Sequence, residues 1–289
     1  MKVLLISDQP SLLLSFRQKC SERIEPITQL PISLKAIGET IDLSAMLHNQ
    51  QPDFIICAAV LPLTASEQDL EHYRVIIENC VEYSVAFQAG LLFLSTAAVF
   101  PQGKIHYSEE DQCQPLTTLA EFYHQQELYI EHALQRFLIL RTSWLYSSDE
   151  ENFLTAVLQS VMSEQLISFN SAGKGCPTSV HDVARVLLAI LLQLDVGAEA
   201  WGTFHYASSD AAIGFQFVEA IMAYASQYAE RVDARHLQFE HNDKAIDQFY
   251  FEPIVLNCQK LLDHFGIHQK PWRALMADVV KEYFVEENI

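Results

Sequence analysis

The sequence predicts an α/β protein built on a doubly wound parallel sheet. Short apolar runs that fit buried parallel strands alternate along the chain with longer segments of helical period. The chain has 289 residues, 50% of them hydrophobic and 19% charged, which is the composition of a folded protein with a sizeable core. We therefore expect a Rossmann-like arrangement, with helices on both faces of the sheet.

The first half of the chain supplies the repeating strand and helix units. Apolar runs at residues 3–6, 54–57, 91–94 and 137–140 are the predicted strands. Helical spacing with few breakers predicts crossover helices over residues 12–20, 69–89 and 119–135. Four such units within about 145 residues fit a nucleotide-binding half.

The order of elements changes after Trp144. The pattern predicts a helix over residues 152–163, a turn-rich stretch at 173–177 and a helix over 180–194. We expect residues 1–145 to form the nucleotide-binding portion. Residues 146–289 are expected to form mostly a smaller, C-terminal substrate lobe, with some segments returning to the sheet. The acidic residues 149–151 are expected to lie in a solvated loop.

Charge and cysteine usage limit the partners and the compartment. The 37 acidic and 18 basic residues give a net charge of -19, which disfavours nucleic acid and anionic membranes as partners. The six cysteines have no zinc-site spacing, so buried reduced thiols and no metal site are expected. The chain shows no signal-peptide pattern and no apolar run long enough for a bilayer, and we expect a cytoplasmic protein.

Several short segments, in their order and spacing, carry a family resemblance. They read Ser95-Thr-Ala-Ala-Val-Phe100, Tyr123-His-Gln-Gln-Glu-Leu-Tyr-Ile-Glu131, Arg141-Thr-Ser-Trp-Leu-Tyr146, Asn152-Phe153, Gly175-Cys-Pro-Thr178, Phe265-Gly-Ile267 and Trp272. Together they resemble the dTDP-4-dehydrorhamnose reductase family of extended short-chain dehydrogenases, over nearly the whole chain. That family also includes the regulatory β subunit of methionine adenosyltransferase, so the resemblance by itself does not decide the function.

The resemblance implies a catalytic set that this sequence only partly has. In the reductases a Ser or Thr and a Tyr flank the substrate carbonyl, and a Lys four residues after the Tyr acidifies its phenol. Thr96 and Tyr123 match the first two positions, whereas Glu127 stands at the lysine position. A carboxylate there is expected to raise the pKa of Tyr123. None of the eleven tyrosines is followed by lysine at the fourth residue.

The cofactor implied by the resemblance is NADP or NAD, held by a glycine-rich first turn. The glycine positions are matched here by Asp8, Ser11 and Leu14. Asp8 adds negative charge where a pyrophosphate would lie, and Pro10 removes a backbone donor. Leu14 is expected to force the helix off the strand or to fill the space between them. We therefore expect dinucleotide binding to be weak or absent.

Each of these residues also has a structural interpretation. Asp8 or Ser11 could cap the following helix. Tyr123 could pack at the sheet edge beside a solvated Glu127, and Thr96 could satisfy a turn. Trp144 matches a family tryptophan beside the bound sugar, but a core tryptophan fits the pattern equally well.

The residues favour a catalytically degenerate family member that acts as a nucleotide-sugar-binding or regulatory subunit, with a nucleotide sugar or a protein as its partner. The alternative is an active NAD(P)H-dependent reductase of a nucleotide-linked 4-keto-6-deoxy sugar with another proton donor. We expect Thr96 to lie near Tyr123 at the carboxyl edge of the sheet. Glu127→Lys alone is expected to give no reductase activity, because the damaged turn must bind a cofactor first.

Overall fold

The computed structural model describes residues 1–22, 27–34, 37, 41–62, 64–101, 103–104, 106–149, 152–163, 167–170, 173–228, 237–240 and 253–286. The helices of these residues, α1 to α9 in chain order, are Pro10–Ser21, Leu43–Gln50, Glu67–Phe87, Thr118–Ala133, Phe153–Ser163, Val180–Asp195, Gly214–Ala225, Gln259–Phe265 and Arg273–Glu286. The strands, β1 to β14, are Lys2–Ile6, Thr28–Ile32, Phe54–Cys57, Gly90–Thr96, His106–Tyr107, Phe137–Thr142, Leu145–Tyr146, Ile167–Asn170, Lys174–Gly175, Thr178–Ser179, Gly202–His205, Ala212–Ile213, Leu237–Glu240 and Val255–Leu256.

Six strands form the central sheet, in the order β11-β6-β4-β3-β1-β2. Every neighbouring pair is parallel. The chain winds outward from β1 to β2 and then returns to β3 on the other side, so the order reverses between β1 and β3. A reversal of this kind leaves a crevice at the carboxyl ends of the two strands, where open α/β sheets bind their ligands.

The four predicted strands are confirmed, and two edge strands complete the sheet. Strand β2 contains Pro31 and is mostly solvent-accessible, which suits an edge because proline cannot donate to a ladder. Strand β11 has only four residues and begins at Gly202. Both strands lack the continuous apolar run of a central strand, so the pattern of residues alone did not reveal them.

The sheet is covered on both faces, as doubly wound sheets require. Along β4, Leu91 and Phe93 pack into the core beneath α3 and α4, whereas Leu92 and Leu94 pack into the core beneath α1 and α6. A separate core joins α5, α7 and α9 around Trp272. The predicted division at residue 145 stays a prediction. Two elements of the second portion belong to the sheet region: β11 pairs with β6, and α6 packs on one face of the sheet.

The buried cysteines agree with the expected reduced thiols. All six are free, and all except the partly buried Cys113 lie in the interior. Among the described residues, no helix has both the length and the apolar content needed to cross a bilayer.

Leu92→Ala in the centre of β4 is expected to lower the free energy of unfolding by about 2–5 kcal/mol, because the change removes buried methyl groups and leaves a cavity. The matched control is Val85→Ala on the exposed face of α3, which should change it by under about 0.5 kcal/mol. Urea denaturation measures both. Equal effects of the two substitutions would contradict the described packing of β4.

Candidate functional site

The turn after β1 is fastened to the end of β3. The Ser7 hydroxyl donates to the Ala58 carbonyl at 2.9 Å, and the Gln9 N–H donates to Ser7 Oγ at 3.1 Å. The Asp8 carboxylate accepts the Val60 N–H at 3.3 Å. These bonds place Asp8 and the start of α1 at the switch point of the sheet.

Helix α1 begins differently from the expected capped helix. Gln9 is the residue before the first turn and makes no side-chain cap. Asp8 bonds instead to the chain after β3, and Ser11 already lies inside the helix. The expectation that Asp8 or Ser11 caps α1 is therefore wrong, because each side chain has a partner distant in sequence.

A carboxylate from the other half of the chain supplies the missing partner of α1. The Ser11 N–H donates to Asp149 Oδ2 at 2.5 Å. Ser148 Oγ lies 3.5 Å from Ser11 Oγ. Of the acidic residues 149–151 expected in a solvated loop, only Asp149 is within the described residues. It lies in a loop and is partly exposed, but its Oδ1 atom is buried. The end of α1 that would face a pyrophosphate thus contacts the protein's own carboxylate.

Leu14 does not crowd the sheet. Its side chain is 64% exposed, whereas α1 packs inward through Ser11, Leu12, Ser15 and Phe16. The expected conflict between Leu14 and the strand is wrong, since the residue lies on the solvent face of the helix. The small buried residues on the inward face allow α1 to lie close to α6, where Ser15 Oγ bonds to His181 Nδ1.

Tyr123 is buried and its hydroxyl is fully engaged. The hydroxyl donates to the Ala59 carbonyl at 3.0 Å and accepts the Leu61 N–H at 3.1 Å. The ring packs against Phe93 of β4, with ring centroids 6.0 Å apart. Tyr123 is therefore fixed to the chain segment that follows β3.

Thr96 ends β4, and its hydroxyl also has a local partner. Thr96 Oγ1 accepts the Ala98 N–H at 3.1 Å, which caps the short 3-10 helix Ala97–Val99. Thr96 and Tyr123 thus both lie in elements at the carboxyl edge of the sheet. The hydroxyls of both residues form hydrogen bonds with the backbone. A shared role of the two side chains beside a substrate carbonyl stays a prediction.

Burial is the main cause that raises the pKa of Tyr123 above its ordinary value. The Leu61 N–H opposes this shift, and the Asp8 carboxylate adds to it. The direction agrees with the expectation from the sequence, but the expected cause, the charge of Glu127, is wrong. Glu127 does not contribute to this shift and forms an ion pair with Arg141.

The structural interpretation of the sequence expected a solvated Glu127, but this residue is buried. Its carboxylate accepts two hydrogen bonds from Arg141, from Nε at 2.9 Å and from Nη2 at 2.6 Å. Both side chains are under 10% exposed. Burial alone would raise the pKa of Glu127, but the Arg141 hydrogen bonds hold it below its usual value. Both groups are charged, and the pair ties α4 to β6.

Cys113, His124 and Glu127 lie close enough to resemble a metal site. Their potential ligand atoms are all within 4.8 Å of one another. However, Arg141 donates to Glu127 and also to Cys113 Sγ at 3.2 Å. A metal cation would have to replace the guanidinium, so this group of side chains does not fit a metal.

His205 ends β11 and is completely buried beside this ion pair. Its backbone N–H donates to Glu109 Oε1 at 2.9 Å, and its ring lies edge-on to Phe100. Burial, followed by the nearby Arg141 guanidinium, lowers the pKa of His205 to about 3. The imidazole is therefore neutral at physiological pH.

Trp144 lies just beyond β6 in a strained conformation. Its φ of 44° is in the left-handed region, and its carbonyl accepts the Thr178 N–H at 2.9 Å. The indole lies against Gly175, where a Cβ would come within 2.3 Å of the ring. Glycine at 175 is thus required by the tryptophan, and a role for Trp144 in sugar binding stays a prediction.

Sequence reasoning missed Asp149, Arg141 and His205 as members of the site. Arg141 and Trp144 both fall in the resembling segment at residues 141–146, which was a signal available in the sequence. For Asp149 no such signal existed, because its partner Ser11 is 138 residues away. His205 ends an edge strand that the pattern did not predict.

Glu127→Gln is expected to lower the free energy of unfolding by about 3–5 kcal/mol, because it leaves the buried Arg141 guanidinium without its counter-charge. Glu131→Gln, one turn later on the exposed side of α4, is the matched control and should change it by under about 0.5 kcal/mol. Chemical denaturation at neutral pH measures both. A loss under about 1 kcal/mol for Glu127→Gln would mean that the pair is worth no more than a surface one.

His205 makes stability fall on acidification between about pH 6.5 and the folded-state pKa of about 3. In that window the unfolded chain takes up a proton that the folded chain refuses, at about 1.4 kcal/mol per pH unit. By pH 5 the loss from this group is about 2 kcal/mol. His205→Phe should remove this contribution to the slope, whereas His268→Gln at an exposed position should keep it. Denaturation curves at pH 5, 6 and 7 decide, and an unchanged slope in His205→Phe contradicts the assignment.

Comparison with known proteins identifies the scaffold. A family model described as RmlD substrate binding domain matches residues 16–285. A dTDP-4-dehydrorhamnose reductase of Sinorhizobium fredii is 25% identical over 244 residues, 80% of each chain. The spore coat polysaccharide biosynthesis protein SpsK of Bacillus subtilis is 24% identical, again over 80% of each chain.

Solved structures share the same fold. A dTDP-4-dehydrorhamnose reductase of Clostridium acetobutylicum superposes with a TM-score of 0.79 at 18% identity, covering 98% of this chain and 99% of the other. The reductase of Bacillus anthracis, solved in complex with NADP, gives a TM-score of 0.75 at 19% identity, covering 99% and 100%. Because the family model spans nearly the whole chain, this protein belongs to the RmlD family, whose relatives include the dTDP-4-dehydrorhamnose reductases.

Proposed function

We propose that this protein is a degenerate, sugar-nucleotide reductase-like member of its family that binds a nucleotide-linked sugar without reducing it. The observation that carries the proposal is the state of Tyr123. Its hydroxyl donates to Ala59 and accepts from Leu61, so the proton that a reductase would transfer is already committed to the backbone.

The chemistry of the phenol supports this proposal. An efficient general acid needs a pKa near the working pH, and a tyrosine reaches that range only beside a cation. The pKa of Tyr123 is shifted in the other direction, mainly by burial. Helix α4 contains no lysine or arginine, and no tyrosine in the chain has a lysine four residues later. No other match of α4 to the family would therefore place a lysine one turn after a tyrosine.

The first turn does not fit a dinucleotide. The helix end that would bind a pyrophosphate presents the Asp8 carboxylate, and the Ser11 N–H is already bonded to Asp149. A pyrophosphate there would meet the carboxylates of Asp8 and Asp149, and like charges at short range repel. We therefore assign no step of a reaction to NADP or NAD in this protein.

The remaining family features are those of a binding protein. Trp144 follows the carboxyl end of β6 with a partly buried indole, and aromatic rings bind the apolar faces of ligands. Relatives are named for making dTDP-linked sugars and spore coat polysaccharide. A nucleotide sugar is thus the small-molecule class we assign, and a regulatory role through a protein partner is the second part of the proposal.

The alternative function is an active NAD(P)H-dependent reductase of a nucleotide-linked 4-keto-6-deoxy sugar. Its support is the family itself, since several relatives at about 25% identity are named dTDP-4-dehydrorhamnose reductase. This alternative needs a proton donor other than Tyr123. Glu127→Lys does not separate the two functions, because it would place a second cation beside the buried Arg141 and destabilise the fold. We still expect no activity from that variant.

The wild-type protein is expected to bind a dTDP-linked sugar with a dissociation constant near the micromolar range, about -8 kcal/mol, and to bind NADPH or NADH at least about a thousandfold more weakly. Titration calorimetry measures the affinities. NADPH oxidation with a dTDP-4-keto-6-deoxy sugar is expected to match the blank without protein. Turnover above that blank would overturn the proposal in favour of the alternative.

The matched variants for the sugar titration are Trp144→Ala and Trp201→Ala. Trp201 is partly buried like Trp144, but it lies against Gly90 at the opposite, amino edge of the sheet. We expect Trp144→Ala to weaken binding about tenfold or more and Trp201→Ala to leave it within about twofold. Equal effects of the two substitutions would remove Trp144 from the site.

A further inference from the structure

We propose that Asp149 is an internal anion that closes the amino terminus of α1, so that this protein satisfies with its own carboxylate the place where related folds hold a dinucleotide pyrophosphate. The inference rests on the proposed function, in which the protein does not use a dinucleotide. It concerns how the dinucleotide position is closed, and not whether a sugar binds.

The contact lies at the place where related folds bind phosphate. The start of α1 lies at the switch point between β1 and β3, and the first free N–H groups of a helix in that position bind phosphate in doubly wound folds. Pro10 opens the helix and has no N–H. Ser11 therefore supplies the first N–H of α1, and that group donates to Asp149 Oδ2 at 2.5 Å.

Asp149 is held in place by side chains of neighbouring residues. Ser147 Oγ donates to the Asp149 carbonyl at 2.7 Å, and Asn152 Nδ2 donates to the same carbonyl at 3.1 Å. Asn152 Nδ2 also donates to the Ser147 carbonyl at 3.1 Å. These bonds hold the backbone at Ser147 and at Asp149 itself, which lowers the entropic cost of the contact with α1.

The charges at the start of α1 favour the contact with Asp149 over an incoming anion. The partial positive charge at the start of α1 is compensated by Asp149, and Asp8 adds a second carboxylate in the preceding turn. The Asp149 Oδ1 atom is buried, so this carboxylate does not extend freely into solvent. An incoming pyrophosphate must displace Asp149 and approach Asp8, which makes the intramolecular contact a competitor of the anion.

The test removes the carboxylate and follows the amide that it binds. The variants are Asp149→Ala, which loses the acceptor, and Asp149→Asn, which keeps an oxygen acceptor without the charge. The matched control is Asp195→Ala at the exposed end of α6. Inorganic pyrophosphate is the probe, and the Ser11 amide is read by nuclear magnetic resonance for both hydrogen exchange and shift changes on titration.

We expect the Ser11 amide of Asp149→Ala to exchange at least about tenfold faster than in wild type, with Asp149→Asn between them and Asp195→Ala unchanged. Pyrophosphate should bind both Asp149 variants at least about tenfold more tightly than wild type and slow the Ser11 exchange again. Circular dichroism checks the fold. If Asp149→Ala does not fold, the pyrophosphate affinity of Asp149→Asn decides the same question.

Unchanged Ser11 exchange in a folded Asp149→Ala variant would overturn the contact. Faster exchange without a gain in pyrophosphate affinity would overturn the claim that Asp149 competes with an anion. These outcomes are separate from failure of the proposed function, which is measured on the wild-type protein as NADPH oxidation or as the loss of nucleotide-sugar binding.

Discussion

The buried ion pair between Glu127 and Arg141 holds together the carboxyl edge of the sheet. Glu127 lies on α4 and Arg141 on β6, the strand between β4 and β11. The Arg141 guanidinium also lies over the ring of Phe100, 5.0 Å from its centroid. Since a buried charge is tolerated only with its partner in place, the position of α4 over the sheet depends on this pair.

The other elements at this edge follow from that arrangement. Phe100 stacks on Tyr107 of the short strand β5, with ring centroids 4.5 Å apart, and meets the ring of His205 on β11. Strand β5 pairs with β14, which brings a late segment of the chain to the same place. One turn before Glu127, α4 carries Tyr123 to the end of β3. The ion pair therefore holds α4, the helix that carries Tyr123, against the strands of this edge.

Three polar groups at the carboxyl edge have partners within the protein. Tyr123 bonds to the backbone after β3, Asp8 accepts from that same segment, and Ser11 receives the carboxylate of Asp149. A reductase needs a free proton donor and free helix N–H groups at the same positions. In this chain the Tyr123 hydroxyl and the Ser11 N–H at these positions have partners within the protein.

The sequence by itself determined the doubly wound sheet, because continuous apolar runs such as residues 54–57 and helical spacing are local patterns. It also determined the lack of a tyrosine and lysine pair, since that is a matter of spacing along one helix. Only the tertiary structure decided the partners of the charged residues. Leu14 faces solvent, Glu127 meets Arg141, and Asp149 meets Ser11 across 138 residues. Such pairings depend on how the chain returns to the sheet, and a local pattern carries no information about which distant donor a carboxylate will reach.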